Sequence, residues 1–375
     1  MSNLLRRLPL SRLLLLCGLV VAVGVSATAI AFAAIGTGPT PPPKPLADAV
    51  HDALSTPPVE GVSASVQLTD HLLEGAGLAS GSDNAAGQLS SSPLLTGASG
   101  RLWIAKDGRT RLELQSEKGD TQIYYDGQSK VSMYDASSNT LYRYTIPAHE
   151  GDDSNESSGS GTATTRHEAP TVAKIEEAIS HLGRHASVSG ATPTDIAGQA
   201  AYTVHFSPNE SGSLIGGAEL SWDAVHGVPL RAAIYSSTSS SPAIELTSTA
   251  ISYGPVESSV FEFTPPANAK IEEVVLPSKH GDTPSSTHSG ERPHVTTQGH
   301  GIASIAVIES KTKADAGQSS QALAEGLQKV KINGVEATEL PTELGTLLSF
   351  ESSGVRYLLA GAVSPVAVEA VAKGL

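Results

Sequence analysis

The sequence predicts an α+β protein built on antiparallel sheet, followed by a small α/β unit at the C-terminus. Three observations carry this. From Gly100 to Ile146, apolar and polar residues alternate in five short runs, the period of a half-buried strand. Asp107-Gly108, Gly119-Asp120, Asp126-Gly127 and Ser138-Asn139 punctuate those runs; such pairs reach positive φ cheaply, as tight hairpins require. Two stretches, 46–54 and 171–186, place apolar residues at helical spacing instead.

The chain has 375 residues, enough for two domains. Only 39% of residues are hydrophobic and 4% aromatic, so part of the length is linker. The net charge of −14 argues against a nucleic-acid partner, whose phosphates demand a basic surface. It argues equally against electrostatic docking on anionic lipid.

Arg6, Arg7 and Arg12 precede an uncharged run from Leu13 to Gly36. A positive segment before an apolar core is an export signal. The run is also long enough to span a bilayer, while Ala31-Phe32-Ala33 fits a cleavage site. Residues 1–36 therefore predict either a single-pass cell-membrane anchor or a cleaved signal that releases a secreted protein. In both cases the remainder lies outside the cytoplasm. Cys17, the sole cysteine, lies within this segment, so the exterior part has no disulfide and must be stable from its core.

Residues 37–45 are a Pro-rich, extended spacer. Leu46, Ala49, Val50, Ala53 and Leu54 form a helical face that Pro57-Pro58 stops. Val62, Ala64, Val66 and Leu68 alternate as a first strand. Residues 74–97 read as a Gly/Ser-rich loop, and the meander of Gly100–Ile146 follows. Residues 150–169 read as a disordered insertion. The second helix, 171–186, presents Val172, Ile175, Ala178, Ile179 and Leu182. Four strands are predicted next, over 201–207, 217–223, 229–236 and 242–253. Residues 278–300 are polar and Pro/Gly-rich and read as a disordered linker. The unit 301–375 is predicted to hold strands at 302–309, 332–339, 345–351 and 355–360. A helix is expected over 319–330, and a last helix is capped by Ser364 with Pro365 at its first position.

In this order the motifs over 46–277 carry a resemblance. Gly108-Arg109-x-Arg111-Leu112-Glu113, Tyr125-Asp126-Gly127-Gln128 and Met133-Tyr134-Asp135 come first. Gly198, Tyr202 and Val204 follow, then Trp222-Asp223 with Gly227-Val228-Pro229-Leu230-Arg231. Tyr253-Gly254 and Phe261-Glu262-Phe263-Thr264-Pro265-Pro266 close the series. The segment resembles the LolA and RseB group of exported, outer-membrane lipoprotein carrier-like domains, with one residue fewer between the aromatic and the acid at Trp222-Asp223. The tail resembles a small exported α/β domain of unassigned function.

The resemblance implies an unclosed antiparallel half-barrel with helices lying over a hollow face. It implies an extracytoplasmic binding protein that holds an acyl chain or lipoprotein in an apolar groove. The alternative is an RseB-like sensor whose partner is a membrane protein such as an anti-sigma factor. The groove expected from the alternating strands is lined by Leu102, Ile104, Leu112, Leu114, Ile123, Tyr125, Val131, Met133, Tyr142 and Tyr144. Tyr202, Val204, Phe206, Leu220, Trp222 and Ile234 continue it. The lid is expected to use Leu46, Val50 and Leu54 from the first helix and Ile175, Ile179 and Leu182 from the second. Burying an acyl chain there is favourable by about 0.8 kcal/mol per methylene. Any one of these side chains could equally be ordinary core.

Other chemistry finds little purchase. No phosphate loop or nucleophile elbow appears, and no serine sits in a catalytic frame, so the sequence predicts a non-enzyme without cofactor. His181 and His185 lie four apart with Glu177 one turn before, spacing that can hold a metal. Histidines in a last helical turn also answer the helix dipole, and no metal site is assigned.

Overall fold

The computed structural model describes residues 38–74, 93–117, 119–146, 169–274, 294–311 and 327–375. The expected export segment, most of the 74–97 loop and the 150–169 insertion lie outside them. Among the described residues, no helix is long and apolar enough to cross a membrane.

The described chain opens with α1, Leu46–Ser55, and β1, Gly61–Asp70. Pro45 fixes the entry to α1, and Thr56 closes it by donating its N–H and its hydroxyl to the Asp52 carbonyl. A short helix, α2 (Pro93–Thr96), lies in what the sequence reads as loop. The meander then runs as β2 (Ala98–Ala105), β3 (Thr110–Ser116), β4 (Gly119–Tyr125), β5 (Lys130–Asp135) and β6 (Thr140–Thr145). Gly108, Gly127 and Asn139 sit at φ 85°, 80° and 47° in its turns. The Asp126 carboxylate collects the N–H groups of Gln128, Ser129 and Lys130, which folds the β4–β5 connection over itself.

After α3 (Val172–Leu182), which Thr171 caps through the Lys174 N–H, come β7 (Ala186–Val188) and β8 (Thr192–Ile196). Then follow β9 (Gln199–Pro208), β10 (Ile215–Asp223), β11 (Pro229–Ser236), β12 (Pro242–Tyr253) and β13 (Lys270–Val274). These strands form one thirteen-stranded sheet in the order β13-β6-β5-β4-β3-β2-β1-β12-β11-β10-β9-β7, with β8 also on β9. The order is linear and its ends do not meet, so the sheet is open. Every pairing in it is antiparallel except that of β13 on β6. The sequence reading misses β7, β8 and β13, which are short and carry no apolar alternation.

A second sheet follows. Its strands are β14 (His294–Gln298), β15 (Ile305–Lys311), β16 (Gln328–Ile332), β17 (Val335–Thr342), β18 (Gly345–Ser352) and β19 (Val355–Gly361). The order is β14-β15-β19-β18-β17-β16, antiparallel throughout, and α4 (Pro365–Ala372) packs on β18 and β19.

Three expectations are corrected in this sheet. Residues 294–298, read as linker, pair with β15. Residues 328–330, read as the end of a helix, begin β16. The single strand read at 332–339 is a hairpin, because Asn333 and Gly334 both take positive φ (49° and 86°) and turn the chain there. The described part of the tail is thus an antiparallel sheet with one helix on it. The rest of the 319–330 stretch lies outside the described residues.

The two sheets touch through few bonds. The Leu214 N–H donates to the Ala362 carbonyl at 2.7 Å, and the Glu343 N–H donates to the Leu72 carbonyl at 3.0 Å. The Ile302 N–H donates to the Glu210 carboxylate at 2.9 Å. Each sheet has its own buried cluster: Val62, Val66, Leu102, Leu114 and Leu246 in the larger, Val307, Ile332, Leu348, Leu359 and Val368 in the smaller.

Candidate functional site

Strand register decides which side chains share a face. Directly opposed residues point to the same side of a sheet. One row of opposed residues runs Leu102, Leu112, Ile123, Met133, Tyr142. The row beside it runs Ile104, Thr110, Tyr125, Val131, Tyr144. Ala64 of β1 opposes Leu102, and Leu68 opposes Leu246 of β12. Leu246 in turn opposes Ala232, which opposes Leu220, which opposes Val204. Tyr202 opposes Trp222, while Phe206 and Ile234 both oppose Ala218. Every expected groove residue therefore falls on a single face of the larger sheet.

That face is not uniform. Leu102, Leu112, Leu114, Tyr202, Val204 and Trp222 are buried and serve as core. Ile104, Ile123, Tyr125, Phe206, Leu220 and Ile234 are half-buried. Val131, Met133, Tyr142 and Tyr144 are also half-buried, and they belong to none of the buried clusters.

The helices explain the difference. Leu46, Ala49, Val50 and Ala53 of α1 pack on Tyr202, Val204, Leu220 and Trp222, at the β9–β10 end. The α3 helix packs on α1 and β7, with Ile175 buried and Ile179 half-buried. Leu94 of α2 packs on the β1–β3 core. Leu54 and Leu182 are corrected: they are 56% and 41% exposed and cover nothing. Both lie in the last turn of their helix. His185 lies beyond the end of α3, so the spacing read with His181 is not a helical one.

The motif residues do other work. On the opposite face of β3–β5, the Arg111 guanidinium lies 5.1 Å from the Tyr124 ring and 5.7 Å from that of Trp103. It also donates to the Val260 carbonyl at 2.7 Å and pairs with Glu113. Phe263 stacks on Tyr124 at 4.7 Å, and Arg109 lies 5.0 Å over Phe261. The closing motif is thus a strap across that face, fastened by the two arginines. Burial there pushes the Tyr124 phenol up to about 12, against the pull of Arg111.

Asp223 is the hub of a second fastening. Its carboxylate accepts the N–H groups of Val225 and His226 at 2.7 and 2.8 Å, and the Tyr253 hydroxyl at 2.6 Å. Burial raises its pKa, but these bonds outweigh burial and hold it below the ordinary carboxylate value. Arg231 bridges Glu219 and Glu245 across neighbouring strands, with Tyr235 beside it. Sequence motifs had no means of flagging the half-open row Val131, Met133, Tyr142 and Tyr144, because an apolar surface needs no fixed residue types; only alternation could find it.

Two cavities lie elsewhere. One of about 420 Å³ is lined by residues that include Glu60, Lys106 and Arg109; one of about 280 Å³ is lined by Gly100, Arg101, Glu113 and Gln115. None of the groove candidates lines either.

No family model and no curated protein matches this chain. Among solved structures it is similar to MucB in complex with MucA(peri), at 11% identity and a TM-score of 0.37, covering 87% of this chain and 95% of that one. The MucA/MucB complex of Pseudomonas aeruginosa gives 12% identity, a TM-score of 0.37 and coverages of 87% and 95%. A putative outer membrane lipoprotein-sorting protein domain from Vibrio parahaemolyticus gives 8%, 0.19, and coverages of 84% and 88%. Likeness at this level places no ligand and no partner on this chain.

Proposed function

We propose that the chain is an extracytoplasmic binding protein whose larger sheet holds an acyl chain, free or on a lipoprotein, against its apolar face. In this reading residues 46–277 form the binding half-barrel, α1 and α3 close one end of it, and 301–375 is a separate appended unit. The observation that carries the reading is the half-exposed row Val131, Met133, Tyr142 and Tyr144, continuous in register with the buried core. Apolar surface left beside a core is where a long apolar ligand gains most from leaving water. The tyrosines suit such an edge, with an apolar ring and a polar tip.

The full chain, delipidated and titrated with a fluorescent fatty acid, tests the reading. Saturable uptake that unlabelled fatty acid displaces is the expected result. No uptake by the folded, delipidated protein overturns it.

A second reading, a regulatory partner of another membrane protein, is favoured by a different observation. Val295, Leu347 and Leu358 are 45%, 41% and 36% exposed on the face of the smaller sheet opposite α4. Pull-down from host membranes with the full chain and with a chain lacking 301–375 separates the two readings: the regulatory one requires a partner that the truncation loses.

A further inference from the structure

We propose that the outer edge of β6 is a strand-exchange site: β13 fills it at rest, and an extended segment of a partner protein takes its place. The inference concerns the edge of the sheet and is independent of whether its face carries an acyl chain.

The observations come from β13 itself. It is the end strand of the sheet and its one parallel member among the described strands, from Lys270 opposite Thr140 to Val274 opposite Tyr144. Parallel pairing is slightly weaker per residue than antiparallel pairing. Neither face of β13 is packed: Ile271 is 50% exposed, Val274 39%, and the other side chains are exposed except Glu272. Ordering a strand costs backbone entropy at every residue, and ordinary strands offset this by burying one face. Here the ladder bonds stand nearly alone. Ion pairs add little, because Glu273 and Arg143 are 3.7 Å apart with both side chains largely in water.

Among the described residues the anchoring is one-sided. Phe263 stacks on Tyr124 and lies 5.5 Å from Tyr134. Asn139 Nδ2 donates to the Asn268 carbonyl at 3.1 Å, and the Lys270 N–H donates to the Asn139 carbonyl at 2.9 Å. These contacts lie at or before the first residue of β13, so the strand can peel from Val274 backwards while the strap that leads into it stays fastened.

The seated strand also indicates what replaces it. Arg143 calls for an acidic side chain on one face of the incoming segment, as Glu273 supplies. Tyr144 calls for an apolar one on the other face, as Val274 supplies. The occupant is therefore an extended polypeptide segment with an acid followed by an aliphatic residue, added through main-chain hydrogen bonds.

The test uses a labelled nonapeptide with the sequence of residues 266–274 and the full chain in three forms. These are the unmodified chain, a chain with 270–274 replaced by Gly/Ser, and a Y144C/V274C chain that also carries C17S, oxidised to lock the Val274 end of β13 on β6. The proposal expects saturable binding to the unmodified chain and at least about tenfold tighter binding to the opened one, where no tethered strand competes. It expects none to the locked chain until reduction, and none for the peptide carrying Pro at the Glu272 position, whose N–H faces β6. Binding that ignores the lock overturns the proposal, as does failure to bind an opened chain with an unchanged circular dichroism spectrum. Hydrogen exchange on the unmodified chain guards against misfolded variants: the Glu272 and Val274 amides, which face β6, should exchange at least about a hundredfold faster than those of β4. Equal protection of the two strands overturns the proposal by itself.

Discussion

The Tyr253 hydroxyl donates a 2.6 Å hydrogen bond to the Asp223 carboxylate, joining the end of β12 to the β10–β11 turn across 30 residues of chain. The Tyr253 ring stacks on His226 at 3.9 Å, so the same turn is held by its carboxylate and by its imidazole. Asp223 is 1% exposed, and its charge is kept in place by these donors.

Tyr253→Phe removes one donor from that buried carboxylate. We expect a loss of about 1–3 kcal/mol in urea unfolding. The folded pKa of Asp223 is depressed, so its contribution is present above the unfolded carboxylate value and is lost as pH falls through the lower folded value. Tyr253→Phe lifts the folded pKa, so acid unfolding should begin at higher pH than in the unmodified chain.

Much of the larger sheet was legible because alternation and turn chemistry agree there. Asp107-Gly108 and Asp126-Gly127 announce hairpins, and the strands between them alternate cleanly. Strand β13 was illegible because Lys-Ile-Glu-Glu-Val has no apolar face; it exists through Asn139 and the Phe263 strap, contacts made far apart in sequence. Asn333-Gly334 carried a clear hairpin signal, which the reading of 332–339 as one strand passed over. The groove candidates share one face of the sheet, since period two fixes the face. Their burial was not legible, because it depends on where α1 lands.

Gly227 is where α1 lands. It sits at φ +67°, and a Cβ there would lie 2.4 Å from the Ala53 carbonyl oxygen of α1. Gly198, at φ +75°, has open space around it. Gly198→Ala should therefore cost about 1 kcal/mol from backbone conformation alone. Gly227→Ala should cost about 2 kcal/mol or more, and hydrogen exchange should quicken in α1. Equal costs at the two sites would refute the close contact with α1.

Asp70 ends β1 beside the seam between the sheets: it accepts the Leu72 N–H at 2.8 Å, and the Leu72 carbonyl accepts Glu343. Burial pushes its carboxyl up to about 6, against the pull of the Leu72 N–H and His71. A raised carboxyl pKa stabilises the fold below the unfolded value, and that stability is lost as pH rises through about 6. Unfolding at pH 4 and pH 7 should show this loss, of the order of 2 kcal/mol at most. Asp70→Asn, which still accepts the Leu72 N–H, should flatten the difference.

Glu339 is 1% exposed in the core of the smaller sheet, and its Oε1 has no hydrogen-bond partner among the described residues. Burial raises its pKa, the charge of Glu369 on α4 raises it further, and Lys373 opposes both. Its ionisation therefore weakens the smaller sheet as pH rises past the ordinary carboxylate value. Glu339→Gln should stabilise that unit by about 1–2 kcal/mol at neutral pH and leave it unchanged in acid. A destabilised variant at pH 7 would mean that the carboxylate is paired.

The acyl-binding face makes the sharpest demand, because core and ligand surface must separate there. Met133 opposes Ile123 and Tyr142 on that face and is half-buried, whereas Leu112 in the same row is 3% exposed. Leu112→Ala should destabilise the fold by about 2–5 kcal/mol, as cavity-forming core changes do. Met133→Glu puts a charge where a methylene chain would lie, yet the half-open site lets the carboxylate reach water. It should cost about 1 kcal/mol of stability or less while weakening fluorescent fatty-acid uptake by about tenfold or more. If Met133→Glu unfolds the chain as Leu112→Ala does, Met133 is core. If it does neither, any ligand lies on another part of the face.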